Sequence, residues 1–172
     1  IEEFNVDIRE NEQVIKVLKE GRYFIIKTEK SEYETKTVIV TTGRKPKKLG
    51  VKGEEEFKNK GITYCATCDA PLFKEKDVAV IGGGNAGLDA VLQLSKIARK
   101  IYLIEVKNTL TGDRFVVEKI KNIDKVEIYT GTNVKEIYGE RFVNGLIVEK
   151  EGKFIDLKVN GIFVEIGSVP NS

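Results

Sequence analysis

The chain has 172 residues, 41% of them apolar, enough for one ordinary domain or for one domain with part of a second. Its 29 basic and 27 acidic residues leave a net charge of +2, which gives no basis for a nucleic acid or an anionic membrane as partner. With two cysteines and no histidine, a structural zinc site of four Cys or His ligands is excluded and no metal is expected; two thiols three positions apart read as a redox pair.

In chain order, two strands are expected at Val14–Lys19 and Tyr23–Thr28 around a turn at Glu20-Gly21. The β-branched run Val38 to Thr42 reads as a strand buried on both faces and stops at Gly43. The basic, proline-containing stretch Arg44 to Gly50 reads as a linker. Alternation of strand and helix then begins. Asp77–Ile81 is a buried strand, Gly82-Gly83-Gly84 a tight turn, and Ala86–Ala98 a helix with an apolar stripe at Leu88, Val91, Leu92 and Ile97. Ile101–Ile104 (strand), Phe115–Ile120 (helix) and Val126–Tyr129 (strand) follow. Val134–Tyr138, Leu146–Glu149 and Phe154–Val159 suggest an antiparallel meander, Ile162–Ile166 is a last buried strand, and Gly167–Asn171 a second linker. The alternation implies an α/β class, a parallel sheet with helices on its faces. Two linkers suggest one domain inserted into another. No apolar run approaches the ~20 residues of a membrane span. The N-terminus carries no signal peptide and no Met, so the chain is expected to be a piece of a longer, cytoplasmic polypeptide. Its richness in Lys and Glu over Cys, Met and His is a bias of proteins from hot environments.

Gly82-Gly83-Gly84-Asn85-Ala86-Gly87 has the G-x-G-x-x-G spacing between a strand and a helix, the context required of a dinucleotide site. Gly82 permits the sharp turn, Gly84 lets a pyrophosphate approach the backbone, and Gly87 lets helix and strand pack closely. The free amides and the positive helix end then hold the phosphates. The alternative is a structural glycine turn. Glu105, 18 residues past Gly87 at the end of the next strand, suits the ribose hydroxyls and would repel a 2′-phosphate, which favours NADH over NADPH. The alternative is an exposed strand-end acid, and Lys107 and Arg114 leave a phosphate role open.

Cys65-Ala66-Thr67-Cys68-Asp69 can close a disulfide across the first turn of a helix, whose N-terminus favours a thiolate. Asp69 is placed to give or take a proton. The alternatives are a structural disulfide and a capping carboxylate. Hydride transfer moves two electrons at once, and thiol exchange needs them at sulfur. A flavin converts one into the other, so a flavin is implied, although no second G-x-G-x-x-G is present to bind it.

These motifs in this order, with Gly161-Ile162-Phe163-Val164-Glu165-Ile166-Gly167-Ser168-Val169-Pro170-Asn171 at the end, resemble low-molecular-weight thioredoxin reductases, and are also similar to the flavoprotein (F) subunit of alkyl hydroperoxide reductase. The resemblance implies a Rossmann-like nucleotide-binding domain with an antiparallel β-meander at residues 47–166, carrying the dithiol. Residues 1–46 would be part of an FAD domain, and 167–172 the return to it. It places Thr42 and Gly43 near FAD and adds Ile166 and Gly167 to the cofactor contacts. It makes Cys68 the thiol facing the flavin, Cys65 the one attacking a partner's disulfide, and Asp69 the acid/base. Electrons would run from NADH or NADPH through FAD to the dithiol and on to a thioredoxin-like or glutaredoxin-like protein, in a homodimer. The nucleotide domain would rotate on its linkers. Three departures stand out. The remaining FAD-binding segments are missing. Glu105-Val106-Lys107 replaces the family's His-Arg-Arg for the 2′-phosphate, as in the NADH-using flavoprotein of hydroperoxide reductase. Ala70-Pro71 stands where Gly is usual. A non-catalytic dinucleotide-binding module and a flavin-free thiol oxidoreductase are the competing readings.

Overall fold

The computed structural model describes residues 6–171, which divide between Thr42 and Gly43 into two compact units. The first unit is an antiparallel meander of β1 (Val14–Glu20), β2 (Tyr23–Thr28) and β3 (Glu32–Thr35). Gly21, at φ +60°, turns β1 into β2, because a left-handed backbone costs glycine nothing. Ile25 is buried, and Glu12 accepts the hydroxyls of Thr28 and Tyr33 at 2.6 and 2.8 Å, which hold its carboxyl below the usual range.

In the second unit five parallel strands run in the order β5 (Ile62–Thr63), β12 (Gly161–Val164), β6 (Asp77–Ile81), β7 (Lys100–Ile104), β8 (Val126–Tyr129). The strand period of two sorts their side chains onto two faces. Val78, Val80, Ile101, Leu103 and Phe163 pack against α2 (Asn85–Leu94) and α3 (Arg114–Lys121), where Leu88, Val91, Leu94 and Ile120 are fully buried. Ala79, Ile81, Ile104, Ile162 and Val164 face the other way, onto Ile137, Leu146, Val148 and Leu157 of a second sheet. That sheet is the antiparallel meander β9 (Thr132–Gly139), β10 (Val143–Lys150), β11 (Lys153–Lys158). Sequence reasoning expected helices on both faces of the parallel sheet. Here helices cover one face and the meander covers the other. Apolar strands record only that both faces are buried, not by what.

Further corrections concern the segment ends. Val38 to Thr42 forms no strand, and Ile39 and Val40 are 87% and 66% exposed. A strand apolar on both faces needs layers to cover it, and among the described residues nothing covers Ile39 or Val40. The two expected linkers are partly strands, β4 (Arg44–Pro46) and β13 (Ser168–Pro170), paired antiparallel with each other. Lys47 N donates to Gly167 O and Asn171 N to Gly43 O at the two ends of this ribbon. Helix α2 stops at Leu94, short of Ala98. The Ser95 hydroxyl turns back to the Leu92 carbonyl, and the next amides tighten to i→i−3 bonds.

Leu94 sits with no exposure between α2 and the sheet. Leu94→Ala should lower stability by about 3 kcal/mol through lost burial plus the cavity left behind, read from the urea midpoint.

Candidate functional site

Strand β6 ends at Gly82, whose φ of +117° no L side chain adopts comfortably; a Cβ there would lie 2.4 Å from the Glu165 carbonyl oxygen. Gly87 is barred from a side chain by packing, since its Cβ would stand 1.8 Å from Gly82 O. Gly84, which caps α2, differs. A Cβ there would meet nothing nearer than Thr111 Oγ1 at 3.9 Å, so open space lies over the backbone. The amides of Asn85, Ala86 and Gly87 begin the ten-residue α2 ahead of any intrahelical acceptor. The chain around them is stapled in place. Thr111 N and Gly112 N donate to Gly83 O, and Asp113 N donates to Asn85 Oδ1.

Glu105 follows β7 and is 7% exposed. Its Oε2 accepts from Gly83 N at 2.5 Å and its Oε1 from Lys107 N at 2.8 Å, which fixes the carboxylate beside the glycine turn. Each oxygen keeps a second lone pair for a ligand hydroxyl. A cleft of about 500 Å³ opens here, bordered by Gly84, Asn85, Ala86, Glu105, Glu165 and Gly167. A smaller apolar hollow of about 250 Å³, with Leu49, Val106 and Ile166 on its walls, adjoins it at Gly82 and Glu105. Both lie beyond the carboxyl ends of the parallel strands, where ligands of such sheets bind. Open backbone at Gly84, unpaired leading amides and a fixed acid fit a dinucleotide. Lys47 and Lys107 border the same cleft.

The dithiol stands at another edge of the same sheet. Cys65 caps α1 (Ala66–Asp69), its sulfur accepting from Cys68 N at 3.3 Å, and the two cysteines are joined by a disulfide. Cys68 is exposed and Cys65 half-buried. The Thr63 hydroxyl donates to Asp69 Oδ2 and accepts from Cys65 N at 3.2 Å, tying the acid and the first cysteine to β5. A hollow of about 300 Å³ beside Thr63, Asp69, Leu72 and Phe73 borders this edge.

Two groups link these parts and were not singled out in the sequence. Glu54, 2% exposed, accepts from Leu49 N, Gly50 N and Tyr64 Oη at 2.7–2.9 Å, pinning the entering chain to the residue before Cys65. Its place in the run Glu54-Glu55-Glu56 hid it among acids that read as solvated. Glu165, one residue past β12, borders the same cleft, and its Oε1 accepts from Ala66 N, the first amide of α1, at 3.4 Å. Burial pushes the Glu165 carboxyl above its usual range, against the smaller opposing effect of that bond. Thr42 and Gly43 do not border the cleft; Gly43 serves the β4–β13 ribbon. Ile166 and Gly167 do border it.

A glycine turn opening a helix over a parallel sheet, with a disulfide at the sheet's edge, marks the Rossmann-like class of fold. The chain belongs to the pyridine nucleotide-disulphide oxidoreductase family, whose sequence profile it matches over residues 1–172. It is 38% identical over its full length to an NADH dehydrogenase of Bacillus subtilis, and 38% identical over 96% of its length to the flavoprotein (F) subunit of the alkyl hydroperoxide reductase of Staphylococcus aureus. It spans 34% and 32% of those proteins. Among solved structures it resembles T. acidophilum thioredoxin reductase (TM-score 0.80, 35% identity, 95% of this chain and 54% of that one). It also resembles the enzyme of Giardia duodenalis (TM-score 0.84, 28% identity, 93% and 53%). Among the described residues no helix is long and apolar enough to cross a membrane.

The glycines make separable predictions. Gly87→Ala should cost about 3 kcal/mol by forcing helix from strand, whereas Gly84→Ala should stay within about 1 kcal/mol of the parent, both read from urea unfolding. Glu165 gives a pH dependence. Its folded pKa is raised, so its favourable contribution is complete below the ordinary value of 4.5 and is lost as pH rises through the folded value. Over that interval the parent should lose stability relative to Glu165→Gln, compared as urea midpoints against pH.

Proposed function

We propose that this chain is the nucleotide-binding and dithiol-bearing part of a thioredoxin-reductase-type flavoprotein. It would take electrons from NADH in preference to NADPH and pass them through Cys65 and Cys68 to the disulfide of a thioredoxin-like or glutaredoxin-like protein. The observation that carries this reading is the sharing of one sheet by a cleft fit for a dinucleotide and a disulfide on a helix N-terminus.

The residues act as follows. Gly84, Asn85 and Ala86 present backbone amides to the pyrophosphate, and Gly82 and Gly87 shape the turn that permits it. Glu105 accepts the ribose hydroxyls, and its fixed negative charge disfavours a 2′-phosphate. Ile166 and Gly167 border the cleft, and Gly83 holds Glu105 in register. FAD, which in the complete protein would be held near Thr42 and Gly43, would supply the conversion of a hydride into an electron pair at sulfur. Cys68, the exposed sulfur, receives that pair, and the Cys65–Cys68 bond opens. Asp69, oriented by Thr63, supplies or removes the proton. The Cys65 thiolate attacks the partner's disulfide and forms a mixed disulfide. Cys68 then displaces the partner as a dithiol and regenerates the Cys65–Cys68 bond. The complete protein is a homodimer of the cytoplasm in this reading.

Calorimetric titration with NADH and NADPH tests it. NADH should bind at least about tenfold more tightly than NADPH, and Glu105→Ala should abolish that preference. Absence of binding by either nucleotide would overturn the electron donor assigned here.

A further inference from the structure

The Glu165 carboxylate stands between two sites that the reading above uses in sequence. Its side chain borders the dinucleotide cleft and bonds Ala66 N, the amide next to Cys65. Its backbone is locked to the glycine turn from both sides: Glu165 N donates to Ile81 O at 2.8 Å, and Glu165 O lies against Gly82 so closely that no Cβ fits between. A carboxylate so held borders the cleft on one side and the amide next to Cys65 on the other.

We propose that Glu165 couples dinucleotide binding to the redox state of the Cys65–Cys68 pair, acting as a positioning and charge-setting residue without contact with the transferred electrons. The proposal rests on the assignment of the cleft to a dinucleotide and of the cysteines to redox chemistry. The sign follows from like charges. Dinucleotide phosphates at Gly84 oppose the ionised carboxylate and favour its protonation. The neutral carboxyl no longer opposes a thiolate at the α1 N-terminus, so the reduced form gains. Burial already makes this carboxyl hold its proton more tightly than usual. The other charged or titratable groups on the surrounding elements are Lys47, Glu105 and Lys107 around the cleft and Cys65, Cys68 and Asp69 on α1. Asp69 is engaged by Thr63, and Glu105 by two amides, which leaves Glu165 to bridge the two sites.

Linkage requires the effect to be reciprocal. NAD+ should bind the reduced protein more tightly than the disulfide form, by about fivefold. Saturating NAD+ should shift the equilibrium of protein disulfide plus two glutathione with protein dithiol plus glutathione disulfide toward the dithiol by the same factor. NAD+ is used because its ring is already oxidised and it donates no electrons. In Glu165→Gln, NAD+ should still bind, the two affinities should converge, and iodoacetamide should alkylate the reduced cysteines several-fold faster near neutral pH. Glu165→Asp should restore part of the coupling. If the parent binds NAD+ equally in both redox states, or if Glu165→Gln keeps the full difference, the coupling role is wrong while the site assignments stand. If the parent binds no NAD+ at all, the cleft assignment fails and the coupling fails with it. Should Glu165→Gln fail to fold, Glu165→Asp decides: its difference in NAD+ affinity between the redox states should be smaller than the parent's, and an undiminished difference overturns the role.

Discussion

Everything at the functional edge of this protein depends on how closely the backbone of the glycine turn is packed. The carbonyl of Gly82 touches the Gly87 position of α2 on one side, and the Glu165 carbonyl presses on Gly82 from the other. Three chain segments, the ends of β6 and β12 and the start of α2, thus meet with no side chain between them. That contact sets the angle at which α2 leaves the sheet and the direction in which its leading amides point. The cleft, the carboxylate of Glu105 and the link to the dithiol helix all take their positions from it.

Three further constraints each pair a backbone donor with a buried or half-buried carboxylate. Glu105 takes Gly83 N and Lys107 N, Glu54 takes Leu49 N and Gly50 N, and Glu165 takes Ala66 N. Loops that lack a ladder of their own satisfy their amides this way. A buried acid with its lone pairs engaged orders a loop at the cost of its own hydration. Glu54 lies near one end of that scale, 2% exposed with three donors. Glu165 lies near the other, with a single long bond and a raised pKa.

Four of the five parallel strands, two of the helices and the meander were legible because their periodicities differ. Val78–Ile81 is uniformly apolar, the α2 stripe repeats every three to four residues, and the meander segments are short and separated by Gly and charge. The glycine turn and the dithiol were legible because few residue types serve at those positions. What covers the second face of the sheet was not, since Ala79 and Ile104 would look the same under a helix. Nor were Thr63, Glu54 and Glu165. Each is an ordinary residue whose role comes from contacts with residues 2 to 99 positions away along the chain. The ribbon of β4 and β13 escaped because a three-residue strand containing Pro46 or Pro170 carries a turn's composition.

That ribbon has a mechanical consequence. Two connections that run side by side and are bonded to each other behave as one strap rather than as two independent tethers. Bending the pair together is easy, while shearing one against the other breaks Lys47 N to Gly167 O and the register of Lys45 with Val169. The backbone at Gly43 and at Asn171 is therefore held together, so neither end of the ribbon shifts without the other.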